Sequence, residues 1–123
     1  MTSSEKLVDW DQLLELLGDT DDLAQRPLLA GMWRDMVSDL GRDMEAFSAL
    51  KTDAEAKSTL HRLRGLVAMW GLCGLAARMK TIEDGSSPLS VLLLCQGELS
   101  DIATLSRREV ALRHAWLDTD AAD

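Results

Sequence analysis

The sequence predicts an all-α protein: an antiparallel up-and-down four-helix bundle with an additional short N-terminal helix. Leu, Ala, Met, Glu, Asp and Arg outnumber Val, Ile, Thr and the aromatics, and aromatic residues make up only 4% of the chain, a balance that favours helix over strand. Apolar residues recur at three- and four-residue spacing over long stretches. Short connections join these stretches, so antiparallel neighbours are the economical arrangement. A length of 123 residues suits one modest core. The division expected is a flexible lead-in over 1–8, the bundle over 9–117 and an acidic tail over 118–123.

The first helix is expected from about Asp9 to Leu17, with Trp10, Leu13, Leu14 and Leu17 as its apolar stripe and Gly18 as its end. Its expected role is a lid. Thr20, Asp21 and Asp22 read as the cap of a long second helix that tolerates Pro27 only near its start or as a kink. Leu29, Trp33, Met36, Val37, Leu40, Met44 and Phe47 form the core stripe of that helix, and Gly41 marks a kink or close approach. Leu28, Met32 and Met36 form a flanking line, readable either as core edge or as a deformable docking patch beside the histidine discussed below.

Thr52-Asp53-Ala54-Glu55 is a capping box, so the third helix starts at about Asp53 and runs to Gly71. A fourth helix follows with Leu72, Leu75, Ala76, Met79 and Ile82 inward, ending near Glu83-Asp84-Gly85. Ser87-Pro88 starts the last helix, with Ser87 as cap and Pro88 in the first helical position. Leu92, Cys95, Leu99, Ile102 and Leu105 make its stripe, prolonged by Val110, Leu112 and Trp116.

Cys73 and Cys95 read as free buried thiols. The longest apolar run, Val91 to Cys95, is far below the roughly 18 residues a membrane span needs, and the N-terminal residues lack an apolar signal segment. No membrane association is expected, and the chain is read as cytoplasmic. A net charge of −8 argues against a nucleic-acid partner. The charge is unevenly spread: residues 51–80 carry six cations and two carboxylates, a net +4 that leaves −12 elsewhere. That basic island either faces an acidic partner or phosphoryl group, or is a solvated helix face.

His61 lies within the island. On a helical wheel Leu60, Leu63, Val67 and Trp70 share one arc with Ala56, and His61 falls opposite, toward solvent. Lys57, Ser58, Arg64 and Gly65 are its neighbours one turn away, a clearing of small residues edged by positive charge. None is a good metal ligand to join the imidazole. A general base would need a pocket and usually an orienting carboxylate, whereas the predicted face is convex and basic. A nucleophile fits better. Neutral imidazole nitrogen attacks phosphoryl groups, and Arg64, with Lys57 as second candidate, can stabilise charge on the transferring oxygens. Gly65 leaves room for a partner to approach. His114 lacks such a pattern and reads as an ordinary surface residue.

His61-x-Leu63-Arg64-Gly65, followed at fixed spacings by Gly71, Leu75 and Glu83, resembles the signature of the histidine-containing phosphotransfer (HPt) domain family of two-component phosphorelays, and the likeness in helix order covers Asp9 to Trp116. The family often has smaller residues where this chain has Leu60, Leu66 and Val67, and more commonly Lys at the position of Arg64, differences that bear on partner choice. The resemblance implies a phosphocarrier that accepts a phosphoryl group on His61 from a receiver-domain aspartate and passes it to another receiver, with Arg64 in support. It implies a carrier without catalytic apparatus of its own, hence not an enzyme, and no cofactor, since Mg²⁺ belongs to the receiver. Receiver domains of response regulators or hybrid histidine kinases are the implied partners of a monomer. The competing expectations are a helical adaptor that binds a receiver or sensor kinase without being phosphorylated, and a domain cut from a larger hybrid kinase. Met1 and the absence of a linker-like lead-in are read as favouring a stand-alone chain.

Overall fold

The computed structural model describes residues 6–18 and 21–119, and among them regular structure is helical throughout. Its elements are α1 (Trp10–Leu17), α2 (Arg26–Glu45), a short 3-10 turn (Phe47–Ala49), α3 (Asp53–Met69), α4 (Cys73–Glu83), α5 (Pro88–Leu94), α6 (Gln96–Arg113) and α7 (Trp116–Thr119). The protein is all-α. One hydrophobic core draws on every helix, from Leu13 and Leu17 in α1 to Leu117 in α7.

α1 begins where Asp9 accepts a hydrogen bond from the Gln12 amide at 3.2 Å and ends at Gly18 in the left-handed region, φ 68°. The segment before it is not a loose lead-in. Val8 is buried, and the Leu7 carbonyl accepts from the Gly74 amide at 3.1 Å. The expectation for residues 1–5 lies outside the described residues.

α2 starts later than its expected cap. Asp22 instead accepts from the Ala24 amide at 3.1 Å in a preceding turn, and Gln25 flanks the helix without a side-chain cap. Thr20 lies outside the described residues. Pro27 explains the shift, because a residue with no N–H is harmless only in the first turn, where it is found. α2 then continues unbroken through Gly41, and Phe47 is buried from the 3-10 turn rather than from α2.

α3 and α4 make the most extensive helix pair. They are joined through Gly71, φ 79°, where a Cβ would stand 2.6 Å from the Asp9 carbonyl. Only glycine fits that backbone and that contact, so the turn and the entry to α1 lock together, with the Asp9 amide donating to the Gly71 carbonyl at 2.7 Å.

The expected last helix is two. α5 and α6 meet at Cys95 with a 65° bend, which rotates the inward stripe from Leu92 onto Leu99, Ala103, Ser106 and Val110 and leaves Leu105 and Leu112 exposed. Ser87 makes no capping bond; Asp53 of α3 accepts from the Leu89 amide at 3.0 Å instead. α7 packs against α2, and the buried indole of Trp33 donates to the Asp118 carboxylate at 2.9 Å. A buried Trp N–H needs an acceptor, so Asp118 is part of the fold rather than of a frayed tail; 120–123 lie outside the described residues. No single helix among the described residues is long and apolar enough to cross a membrane.

Candidate functional site

The rotation of α3 is set by its buried stripe. Ala56, Leu60, Leu63 and Val67 have no exposed surface, and Thr52 and Glu55 cap the helix reciprocally, at 3.1 Å from the Glu55 amide to Thr52 Oγ1 and 3.2 Å from the Thr52 amide to Glu55 Oε1. His61 is thereby held outward on rigid backbone, its side chain 69% exposed. Gly65, one turn on, is also exposed, and a Cβ there would meet no atom within 4 Å. The clearing expected beside His61 is present.

Its rim differs from the expectation in one respect. Glu83, the last residue of α4, brings a carboxylate against the imidazole. Glu83 Oε2 is 3.1 Å from His61 Nδ1, Glu83 Oε1 accepts from Arg64 Nε at 3.0 Å, and the Glu83 carbonyl accepts from Lys57 Nζ at 2.7 Å. Arg64 is therefore folded down onto α4, its side chain only 27% exposed, rather than lying free on an exposed flank. Burial works against ionisation of Glu83, but the hydrogen bonds and charges of Arg64 and His61 outweigh it and hold its carboxyl below the usual range.

The proton on His61 is contested. Glu83, ionised, can only accept, so its contact requires Nδ1–H. Arg64 Nη2, 3.0 Å from the same nitrogen, can only donate. A neutral ring satisfies one of them at a time. With the proton on Nδ1 the ring bonds Glu83 and bares the Nε2 lone pair; with the proton on Nε2 the ring accepts from Arg64 instead. Arg64 keeps its bond to Glu83 Oε1 in either form, so the two tautomers differ in whether Nδ1 donates to Glu83 or accepts from Arg64. Nε2 has no hydrogen-bond partner among the described residues.

Sequence reasoning singled out His61, Arg64, Gly65 and Lys57, and these converge. It did not see Glu83 as the common partner of His61, Arg64 and Lys57, although Glu83 stands in the spaced signature. The missing signal was three-dimensional: the α3–α4 pairing brings residue 83 level with residues 57–64. The orienting carboxylate that base catalysis wants is thus present. Two sizeable clefts open elsewhere, and His61 lines neither.

Three other expectations need correction. The Leu28–Met32 line is exposed, but Met36 is buried, and the line is not beside His61: Asp43, which pairs with Arg62 at 2.8 Å, is eleven residues from Met32, about 16 Å of helix. Cys73 and Cys95 are free but only partly buried, the latter 3.6 Å from Arg78 Nη2. His114 is not an ordinary surface residue. Its ring lies 6.3 Å from that of Trp10 and 6.2 Å from that of Trp116, and burial, then the charges of Arg113 and Arg26, push its pKa down.

Among the described residues no group of three His, Cys, Asp or Glu side chains converges to hold a metal. In comparisons with protein-family models, curated proteins and solved structures, none matches this chain.

Proposed function

We propose that the chain is a phosphoryl carrier of the histidine-containing phosphotransfer type, with His61 as acceptor. The observation that carries this reading is the placement of the ring: Nδ1 lies 3.1 Å from Glu83 Oε2 and 3.0 Å from Arg64 Nη2, while Nε2 has no partner among the described residues on a largely exposed side chain. The Nε2 lone pair attacks the phosphorus of a receiver's aspartyl phosphate. The bond from phosphorus to the aspartyl oxygen breaks, and its electron pair leaves on the receiver carboxylate. Positive charge grows on the ring and is stabilised through Nδ1–H by Glu83. Arg64 and Lys57 supply cations beside the arriving phosphoryl oxygens, and Gly65 lets the partner close to bonding distance.

The wider reading follows the same lines. α2, α3, α4 and the bent α5–α6 would form the four-helix bundle, with α1 as its lid. The partners would be receiver domains of response regulators or hybrid kinases in the cytoplasm, each bringing its own Mg²⁺, and the carrier would work as a monomer without a cofactor or catalytic apparatus of its own. What supports this is the conjunction of the spaced signature with the geometry around His61.

The test is incubation with a panel of receiver domains carrying labelled aspartyl phosphate. Label should pass to the wild-type chain in an acid-labile, alkali-stable form, as for a phosphoramidate, and His61→Gln should take none while keeping its helical spectrum. Acid-stable label, or label on His61→Gln, would overturn the assignment. Receiver binding without transfer would favour the adaptor.

A further inference from the structure

Away from His61, four helices meet around one imidazole. His114 ends α6 half-buried, its ring 6.3 Å from that of Trp10 in α1 and 6.2 Å from that of Trp116 in α7, the latter edge-on at 79°. Each tryptophan also carries a guanidinium: Arg113 of α6 lies 4.2 Å from the Trp10 ring centre, and Arg26 of α2 lies 4.9 Å from that of Trp116. The charges acting on His114 are these two arginines, both positive. α1 faces it with an indole, and the carboxylate of α7, Asp118, is committed to the Trp33 indole at 2.9 Å.

What hangs on this joint is α7. So short a helix does not hold by itself, and Trp116–Thr119 keeps its shape by docking on α2, through buried Leu117 and the bond from Trp33 to Asp118. The Leu117 amide donates to the His114 carbonyl at 2.9 Å, which ties the start of α7 to the same residue. While neutral, the imidazole packs beside the indoles as a flat, weakly polar ring. Burial first, and then the two arginine charges, oppose a proton on it. The indoles give an imidazolium little relief, since each already holds a guanidinium. Undocking α7 hydrates the ring and lets the cations draw apart, so proton uptake and opening favour one another.

We propose that His114 is the latch of a pH-gated clasp: its protonation releases α7 from α2, baring Leu117 and the Trp33 indole, while the rest of the bundle stays folded. α7 adds Leu117 and part of Trp116 to the core, so opening it costs a fraction of global unfolding. The open fraction rises as pH falls through the ordinary histidine range near about 6.5 and levels off below the pKa of the docked ring. The clasp does not depend on the chemistry assigned to His61, and its test uses no phosphoryl donor.

The experiment follows hydrogen exchange of the full chain by NMR at about pH 7.5 and about pH 5.5, each rate divided by its intrinsic value at that pH. Expected at the lower pH is a several-fold loss of protection for the Trp33 indole N–H and the Leu117 and Asp118 amides, which are bonded in the docked form, with the core amides of α3 and α4 unchanged. His114→Gln should show no such pH dependence. Because that variant also removes the ring, Arg113→Gln keeps the imidazole and deletes one opposing charge from an exposed position, and its loss of protection should be smaller than in wild type. Equal protection at the two pH values, a parallel loss in α3 and α4, or a wild-type response in either variant would overturn the proposal.

Discussion

Glu83 Oε2 lies 3.1 Å from His61 Nδ1, so the carboxylate that ends α4 dictates which nitrogen of a histidine on α3 is turned to solvent. Replacing Glu83 with Gln keeps the shape but removes the ionised acceptor that demands Nδ1–H. Arg64 can then donate to Nδ1 and shift the proton to Nε2. Transfer to Glu83→Gln should slow by about tenfold to a hundredfold, the equivalent of one charge-assisted hydrogen bond of roughly 1.5–3 kcal/mol. Nitrogen chemical shifts of the His61 ring should move toward the Nε2–H tautomer. Unchanged shifts and rates would show that Glu83 does not govern the ring.

Arg64→Ala removes a bond to Glu83 as well as a cation 3.0 Å from His61 Nδ1. The Glu83 carboxyl should therefore titrate closer to its ordinary value of about 4.3, because a main cause of its depression is gone. A carboxyl depressed in the folded state contributes stability that is present above its unfolded pKa and lost as the pH falls through the folded value. The acid limb of unfolding should accordingly lie at higher pH in the variant. Phosphoryl transfer should slow without loss of helix. A variant with wild-type kinetics would move the supporting role to Lys57.

Two glycines should respond in opposite ways. Gly65 meets nothing and sits in a helix, so Gly65→Gln should keep the fold while obstructing the receiver one turn from His61. Gly71→Ala should leave the His61 face untouched but destabilise the protein by about 1–3 kcal/mol from its backbone conformation alone, with more from the 2.6 Å approach to the Asp9 carbonyl. Denaturant melts and transfer assays on the pair separate the effects. An unfolded Gly65→Gln would mean that this face of α3 is packed rather than open.

His114 gives the fold a dependence on pH. Its folded pKa lies below the ordinary value because of burial and the charges of Arg113 and Arg26. Between the two values the unfolded chain binds more protons, so stability should fall as pH drops below about 6.5 and level off beneath the folded pKa. Thermal melts across pH 7.5 to 5 should show a steeper decline in wild type than in His114→Gln. Parallel profiles would remove His114 as the cause.

Much of the fold was legible where a local chemical rule acts alone. The capping box at Thr52 and the glycine stop at Gly71 bound α3 as expected because each satisfies orphan backbone groups within a few residues. The outward aspect of His61 followed from its position opposite Leu60, Leu63 and Val67. Legibility failed where the deciding partner is remote. The bend at Cys95 carries no Pro, and Gly97 lies inside the first turn of α6, so the apolar periodicity ran through the bend unmarked. Asp53 capping α5, Asp118 receiving Trp33 and Glu83 receiving Arg64 each depend on chain segments brought together only in the folded protein. His114 looked ordinary because Trp10 and Arg26, which flank it in the fold, come from α1 and α2 at the far end of the chain.

The bond from Trp33 to Asp118 also orders events in time. It closes a span of 85 residues, whereas the α3–α4 pair closes across a three-residue turn. Closing the longer loop costs more chain entropy and is repaid only once the intervening helices are assembled. The α3–α4 hairpin is thus the natural nucleus, and docking of α7 is the final step. Trp33 is packed edge-on against Trp70, their ring centroids 5.4 Å apart. Indole emission from this pair consequently reports both the early hairpin and the late seal, and refolding followed by fluorescence should separate two phases that a helix signal alone would merge.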